Sequence, residues 1–185
     1  MYRGFGTPIA ASIIRQAQQG RRDAQQHIFE TFQTAVLTSL LGLCRERELA
    51  RDLAQDVFIQ VFAKIHQLRD VTAFGGWLKQ LTVNCALAHF RKQSWLVLEA
   101  NDQHQPVDEQ PYQQADWLSH CDDIEQLMQC LTKAEQQLVW LYLVEDYSHQ
   151  QLATLYEVPA ATIRQRYHRA LKKLQQAANH GAEHG

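Results

Sequence analysis

Basic side chains are concentrated in one short stretch of a chain that is slightly acidic overall. Residues 161–176 hold five basic residues and no acidic one, although the 185-residue chain has a formal net charge of −2. Arginine can donate two hydrogen bonds to guanine, glutamine can pair with adenine, and any cation can contact a phosphate. The pattern predicts a nucleic-acid contact. Its candidate residues are Thr162, Arg164, Gln165, Arg166, Arg169, Lys172 and Lys173.

Two helix-start signals and a turn precede this stretch. Thr132 to Glu135 and Ser148 to Gln151 each fit a capping box, in which two side chains satisfy free amides at a helix start. Pro159 is expected to open the next helix, where its missing N–H costs nothing. Together they predict a helix-turn-helix, whose second helix enters the DNA major groove with its N-terminal turns at the base edges.

An ordinary solvated helix is the alternative interpretation of a charge run. The capping boxes, the turn and the proline favour the helix-turn-helix instead, and so does a set of apolar residues at helical spacing. These residues are Ile163, Tyr167, Ala170, Leu171 and Leu174. Arg164 and Arg166 are expected to meet bases, while Arg169, Lys172 and Lys173 suit phosphates.

The N-terminal half has helical periodicity and almost no strand signals. Helices are predicted over Pro8 to Gln19, after Asp23, over Glu48 to His66, and after Thr72 as an N-cap. The third helix has an apolar stripe of residues four apart, namely Leu49, Leu53, Val57, Val61 and Ile65. Its opposite, polar side carries Arg51, Asp52, Gln55, Asp56 and Gln60. The predicted buried face of the fourth helix is Phe74, Leu78, Leu81, Cys85 and Ala88.

The middle of the chain is strongly acidic and lacks periodicity. Residues 96–126 hold eight acidic residues and no Lys or Arg, which predicts an extended, flexible linker. The predicted fold class is all-α, with two small helical domains joined by this acidic linker. The predicted divisions are a domain over residues 1–95, a linker over 96–125, a helix-turn-helix domain over 126–178 and a tail over 179–185.

Other function classes find little support in the sequence. The N-terminal apolar run is too short for a signal peptide or a membrane span, so a cytoplasmic protein without membrane insertion is expected. His120, Cys121 and Cys130 could suggest a metal site, but ordinary residues are favoured because no CxxC pair is present. A helical metal-dependent hydrolase is a second alternative. The chain lacks HExxH, GxSxG and a Gly-rich phosphate loop, so we expect no enzyme, catalytic residue, metal or cofactor.

Three segments resemble bacterial sigma factors, most of all the extracytoplasmic-function (ECF) group of the sigma-70 family. "LTKAEQQLVWLYLVEDYSHQQLATLYEVPAATIRQRYHRALKKL" is similar to the region that binds the −35 promoter element. "ELARDLAQDVFIQVFAKIHQL" resembles the polymerase-docking helix, and "AFGGWLKQLTVNCALAHFRKQ" resembles the segment that reads the −10 element and opens the strands. The segments occur in the family's order, with a variable linker between the two domains.

The resemblance implies a detachable specificity subunit of RNA polymerase. The polar residues Arg51, Asp52, Gln55, Asp56 and Gln60 would face the core enzyme. Residues at the melted −10 strand would be Lys79, Asn84, His89, Arg91 and Lys92. The loop from Gln67 to Ala73 would hold a flipped base, and an anti-sigma factor would be a further partner.

The sequence also departs from the family pattern. His89 stands where an acidic or other polar residue is common, and Ala161 replaces a frequent glycine. Trp77 matches a tryptophan of the family, although core packing is its favoured interpretation. A helix-turn-helix regulator that does not bind core polymerase remains the main alternative. It explains residues 131–176 but not residues 48–93.

Overall fold

Helices and short 3-10 turns form the regular structure in residues 4–92 and 127–182, the ranges that the computed structural model describes. These ranges contain no β-strand. The chain divides into two compact units, residues 1–94 and 95–185. The predicted fold class, all-α with two small helical domains, is confirmed. The proposed linker, residues 96–125, falls outside the described ranges, as do His120 and Cys121.

Four α-helices lie in residues 4–92, the described part of the N-terminal unit. They are α1 (Ala11–Gln18), α2 (Arg22–Cys44), α3 (Arg47–Lys64) and α4 (Phe74–Lys92). Three 3-10 turns accompany them, η1 (Gly4–Gly6), η2 (Ile65–Gln67) and η3 (Val71–Ala73). Helix α2 packs against α1, α3 and α4, so it forms the centre of the unit. Within the core the rings of Phe32 and Phe74 meet edge to face, with their centroids 5.4 Å apart.

The apolar stripe predicted for α3 is buried over most of its length. Leu53, Val57, Val61 and Ile65 lie in the core, whereas Leu49 is half-buried. The helix ends at Lys64 rather than His66, because the chain tightens into η2 at Ile65. The stripe is consistent with burial of one helix face against α2 and α4.

The predicted start of α4 is wrong. Thr72 is not its N-cap, since α4 begins at Phe74, after η3. The capping oxygen belongs to Asp70, whose Oδ1 accepts hydrogen bonds from Thr72 N at 2.9 Å and Thr72 Oγ1 at 2.6 Å. A carboxylate readily accepts a hydrogen bond from the backbone amide two residues later, which closes a turn of this type. Asp70 therefore provides the accepting oxygen, and Thr72 is the donor.

The predicted buried face of α4 is also partly wrong. Phe74 and Leu78 are buried, but Leu81 and Cys85 are half-buried and Ala88 is exposed. The helix instead buries residues on a broader arc, because it packs against both α2 and α3. The further core residues on that arc are Thr82, Val83, Ala86, Leu87 and Phe90.

Gly75, in the first turn of α4, permits a close approach of the N-terminal segment. A Cβ atom at this position would overlap the carbonyl oxygen of Phe5. The 3-10 turn η1 thus packs directly on the start of α4. The glycine that weakens the helix by its propensity is required here for packing.

The C-terminal unit contains α5 (Lys133–Leu143), α6 (His149–Tyr156) and α7 (Ala160–Ala182). Its core joins all three helices, with Leu141, Leu152 and Leu174 fully buried. The apolar face predicted for α7 is confirmed for Ile163, Tyr167, Ala170 and Leu174, while Leu171 is half-buried. Helix α7 continues through residues 179–182, so these residues are helical rather than tail. In the described part of the chain no helix has the length and apolar character needed to cross a membrane.

Candidate nucleic-acid interface

Both predicted capping boxes are present and fix the starts of α5 and α6. Thr132 Oγ1 accepts from Glu135 N at 3.3 Å, and Glu135 Oε2 accepts from Thr132 N at 2.9 Å. Ser148 Oγ accepts from Gln151 N at 3.2 Å, and Gln151 Oε1 accepts from Ser148 N at 2.8 Å. Each box satisfies two amides that a helix start leaves unpaired.

A tight turn joins α6 to α7. Glu157 ends α6 in the left-handed conformation, with φ 57° and ψ 40°. Pro159 then accepts hydrogen bonds at its carbonyl oxygen from Thr162 N at 3.0 Å and Ile163 N at 3.3 Å. Pro159 thus precedes the first helical residue by one position instead of being that residue. The two helices and this turn form the predicted helix-turn-helix.

The candidate base-reading and phosphate residues of α7 differ in exposure. Arg164, Lys172 and Lys173 are exposed, and Thr162, Gln165, Arg166 and Arg169 are half-buried. Arg164, His168 and Lys172 are four apart and all exposed, so they form one ridge along the helix. His168 was not among the sequence candidates, although its spacing between Arg164 and Lys172 could have identified it.

Lys173 differs from its neighbour Lys172 because it has an acidic partner within the unit. Its Nζ donates to Glu135 Oε1 at 2.7 Å. The same carboxylate completes the capping box of α5 through Oε2. Lys173 thereby ties α7 to the start of α5, and part of its charge is compensated before any DNA binds.

Three aromatic rings hold α5, α6 and α7 together beside the recognition helix. The ring of Tyr142 stacks on that of His149 at 4.4 Å and lies 4.3 Å from that of Tyr167. Burial lowers the pKa of His149, and the positive charge of Arg164 lowers it further. Both causes favour the neutral form of an imidazole that lies close to a candidate base reader.

The polar side of α3 is exposed as predicted. Arg51, Asp52, Gln55 and Asp56 are exposed. Gln60 is half-buried, and its Oε1 accepts from Lys64 Nζ at 3.0 Å. Gln60 Nε2 also lies 3.8 Å from Cys85 Sγ, which connects the edge of this surface to α4.

One apolar residue interrupts the polar surface of α3. Ile59 is 66% exposed, the largest value among the exposed large hydrophobic residues of the described chain. It lies three residues after Asp56 and four after Gln55, which places it on the same side of the helix. Sequence reasoning missed it, although an isoleucine outside the buried stripe was the available signal.

The described candidates for the −10 strand differ in exposure. Asn84 is exposed on α4, whereas Lys79 and His89 are half-buried. The Nε2 atom of His89 is buried without a hydrogen-bond partner among the described residues. Arg91 and Lys92 belong to the last turn of α4, but their side chains fall outside the described part of the chain.

Trp77 and the preceding loop frame the start of α4. The half-buried Trp77 ring lies 5.9 Å from that of Phe74, in agreement with the packing role expected for it. In the loop from Gln67 to Ala73, Arg69 and Thr72 are exposed while Leu68 is half-buried. Arg69 was absent from the sequence candidates, although it is the basic residue of that loop.

The cysteines and histidines of the described ranges form no cluster that could hold a metal ion. Cys44 is buried, and burial is the main cause that raises its pKa to about 12. Cys85 is half-buried and Cys130 is exposed. These three cysteines form no disulfide.

Comparison with known proteins identifies both halves of the chain. Residues 28–96 match the family model for sigma-70 region 2, and residues 121–174 match that for sigma-70 region 4. The chain is 25% identical over 169 residues to the "Probable RNA polymerase sigma factor RfaY" of Xanthomonas campestris pv. campestris, covering 83% of this chain and 40% of that relative. It is 23% identical over 184 residues to the RNA polymerase sigma-H factor of Pseudomonas aeruginosa, covering 89% of this chain and 91% of that relative. The two family models match in the order that the resemblance implied, and the chain belongs to the sigma-70 family of RNA polymerase sigma factors, which act in transcription initiation.

Proposed function

We propose that the chain binds core RNA polymerase and directs it to promoters by recognising a −35 and a −10 element. The observation that carries the proposal is the presence on one chain of both sigma-70 regions, each with an exposed polar or basic helix surface. A helix-turn-helix regulator needs only the second of these regions. The sigma-70 region 2 match over residues 28–96 therefore favours the sigma factor over that alternative.

For the −35 element, the proposed reader is the exposed ridge of α7. Arg164 lies in the second turn of the helix, where a recognition helix reaches base edges. Gln165 and Arg166 flank it, and Lys172 lies two turns further along, in reach of phosphates. The charge of Arg164 lowers the pKa of His149, which disfavours a second positive charge near this surface.

For the −10 element, the proposed contacts are Asn84 and the loop from Gln67 to Ala73. The exposed Arg69 supplies a positive charge in the loop, and Trp77 supplies a half-buried ring at its end. A single-stranded base is bound by stacking and by hydrogen bonds to its edge, so these groups suit a melted strand. His89 contributes less, because its Nε2 is buried.

For the polymerase, the proposed contact is the polar side of α3 together with Ile59 at its C-terminal end. Interfaces combine a desolvated apolar anchor with polar residues, and the exposed Ile59 on the same helix side as Gln55 and Asp56 has this composition. We also propose that an anti-sigma factor covers one or both of the DNA and polymerase surfaces. The protein would act in the cytoplasm without being an enzyme and without a cofactor.

The decisive experiment mixes purified chain with core RNA polymerase in the absence of DNA. Co-elution of the two on size exclusion supports the sigma factor, and transcript start sites from the reconstituted holoenzyme then define the promoter elements. The variant Asp56→Arg should weaken co-elution, because it reverses a charge on the proposed docking surface. The matched control is Glu30→Arg, an equal reversal at an exposed position of α2. Binding to DNA without any binding to core polymerase would instead establish the regulator.

A further inference from the structure

Gln18, the last residue of α1, holds the loop between α3 and α4 through its side-chain amide. Its Nε2 donates to the carbonyl oxygens of Leu68 at 2.8 Å and Ile65 at 3.0 Å. The carbonyl of Ile65 also accepts from Leu68 N at 3.1 Å, which closes η2. One amide group thus fixes both the 3-10 turn and the first residue after it.

The backbone that carries Gln18 is itself fixed. Ile14 and Ala17, on the inner side of α1, are 0% and 1% exposed. Helix α1 packs against α2 and also contacts η2 and η3. The amide of Gln18 therefore reaches the loop from a helix that is held by packing. A side chain can impose a conformation on its partner when its own backbone is held in this way.

The far end of the loop is closed separately. Asp70 accepts from Thr72 at its carboxylate, and its carbonyl accepts from Ala73 N at 3.1 Å. Beyond it, Gly75 packs on the carbonyl of Phe5. Only residues 68–70 lie between the two 3-10 turns, so the position of Arg69 depends on how firmly each end is held.

We propose that Gln18 is a positioning residue for −10 recognition, which sets the conformation of the loop that receives the base of the melted strand. This inference rests on the proposed function of that loop. Base discrimination needs protein groups held close to one geometry, because a looser loop can adapt to the wrong base. The first helix of the chain, which lies N-terminal to residues 28–96, then contributes to promoter choice.

The test uses holoenzyme reconstituted from the full-length chain and core polymerase. Its affinity is measured for single-stranded −10 oligonucleotides that carry each of the four bases at each position. The variant Gln18→Met removes both donors but keeps an unbranched side chain of similar length. The control is Gln19→Met, the same substitution at the exposed neighbouring residue.

We expect Gln18→Met to reduce the ratio of affinities for the best and worst base at one −10 position by about three- to tenfold, the scale of one or two lost hydrogen bonds. Gln19→Met should leave the ratio unchanged. A uniform loss of affinity for all four bases would show a merely structural role and overturn the inference. A wild-type holoenzyme without any −10 preference would overturn the proposed function as well, whereas normal wild-type preference with an unchanged Gln18→Met ratio would overturn this inference alone.

Hydrogen exchange of the free chain gives a second readout that does not depend on DNA or polymerase. In Gln18→Met the amide of Leu68 should exchange about three- to tenfold faster, because it donates to the carbonyl of Ile65 that Gln18 also holds. The amide of Thr72, which Asp70 holds separately, and the amides of α7 should keep their wild-type rates. Unchanged exchange at Leu68 would overturn the inference, because Gln18 would then not hold the loop.

Discussion

Lys173 and Glu135, which are 38 residues apart, form a 2.7 Å ion pair, and the same carboxylate caps the first turn of α5. The pair divides two adjacent lysines into different roles. Lys173 braces the C-terminal unit, while Lys172 remains exposed on the ridge of α7.

Replacing these lysines should therefore have different consequences for DNA binding and stability. Lys172→Ala should lower the salt dependence of promoter binding by about one in log–log slope, since a phosphate contact is lost. Lys173→Ala should change the slope less and lower the free energy of unfolding by about 0.5 kcal/mol, the scale of a partly exposed ion pair. Salt titrations and thermal unfolding of both variants check this, and equal slope changes would refute the division of roles.

The left-handed conformation of Glu157 should destabilise the C-terminal unit, and a glycine at this position should remove the destabilisation. Its φ of 57° is unfavourable for a residue with a Cβ atom. Glu157→Gly should stabilise the C-terminal unit by about 1 kcal/mol. Glu157→Ala removes the same charge but keeps the Cβ atom, so it should give no such gain. Chemical denaturation measures both, and equal stability of the two variants would exclude the conformational explanation.

The half-buried His149 should make the C-terminal unit sensitive to mild acid. Its pKa is lowered in the folded chain by burial and by Arg164, so the unfolded chain binds the proton more readily. The stabilising contribution is present above the unfolded pKa of about 6.5 and is lost as the pH falls through the lower folded pKa. Wild type should thus lose more thermal stability than His149→Gln when the pH is lowered from about 7.5 to about 5, a range that includes the unfolded pKa. The exposed His168→Gln is the control, and it should behave like wild type.

Arg164 should determine preference at one base of the −35 element. If it donates two hydrogen bonds to a guanine, Arg164→Ala should cost about 1–3 kcal/mol on the preferred sequence and relax selection at that position. Lys172→Ala is the matched comparison, because it should weaken all sequences alike. Binding of the holoenzyme to a base-substituted −35 series distinguishes the two, and an unchanged preference in Arg164→Ala would show that another residue reads the base.

Ile59 should contribute to polymerase binding without contributing to folding. Because its side chain is 66% exposed, Ile59→Ala should change the free energy of unfolding by no more than about 0.5 kcal/mol. Truncation of an apolar anchor should weaken binding to core polymerase by at least about fivefold, on the order of 1 kcal/mol. The control is Val144→Ala, at an aliphatic residue of the C-terminal unit that is 52% exposed. A binding titration with labelled core enzyme measures the affinity of both variants. If Ile59→Ala and Val144→Ala bind with equal affinity, Ile59 is not part of the docking site.

The sequence by itself determined the local features of the helix-turn-helix. Capping boxes join residues only three positions apart, so Thr132 with Glu135 and Ser148 with Gln151 could be recognised from their spacing. The apolar face of α7 was predictable for the same reason, because one helix packing on a single core produces a regular period. In α3 the period also separated the buried stripe from the exposed polar side.

Tertiary structure decided the features whose partners are distant in sequence. The buried arc of α4 depends on simultaneous contact with α2 and α3, which widens it beyond one period. Thr72 lies within η3, whose N-cap is Asp70, so it could not be the N-cap of α4. Gln18 meets Ile65 and Leu68 across 47 and 50 residues, and Lys173 meets Glu135 across 38. Spacing along the chain cannot specify such pairs, because their distances are set by how whole helices pack against one another.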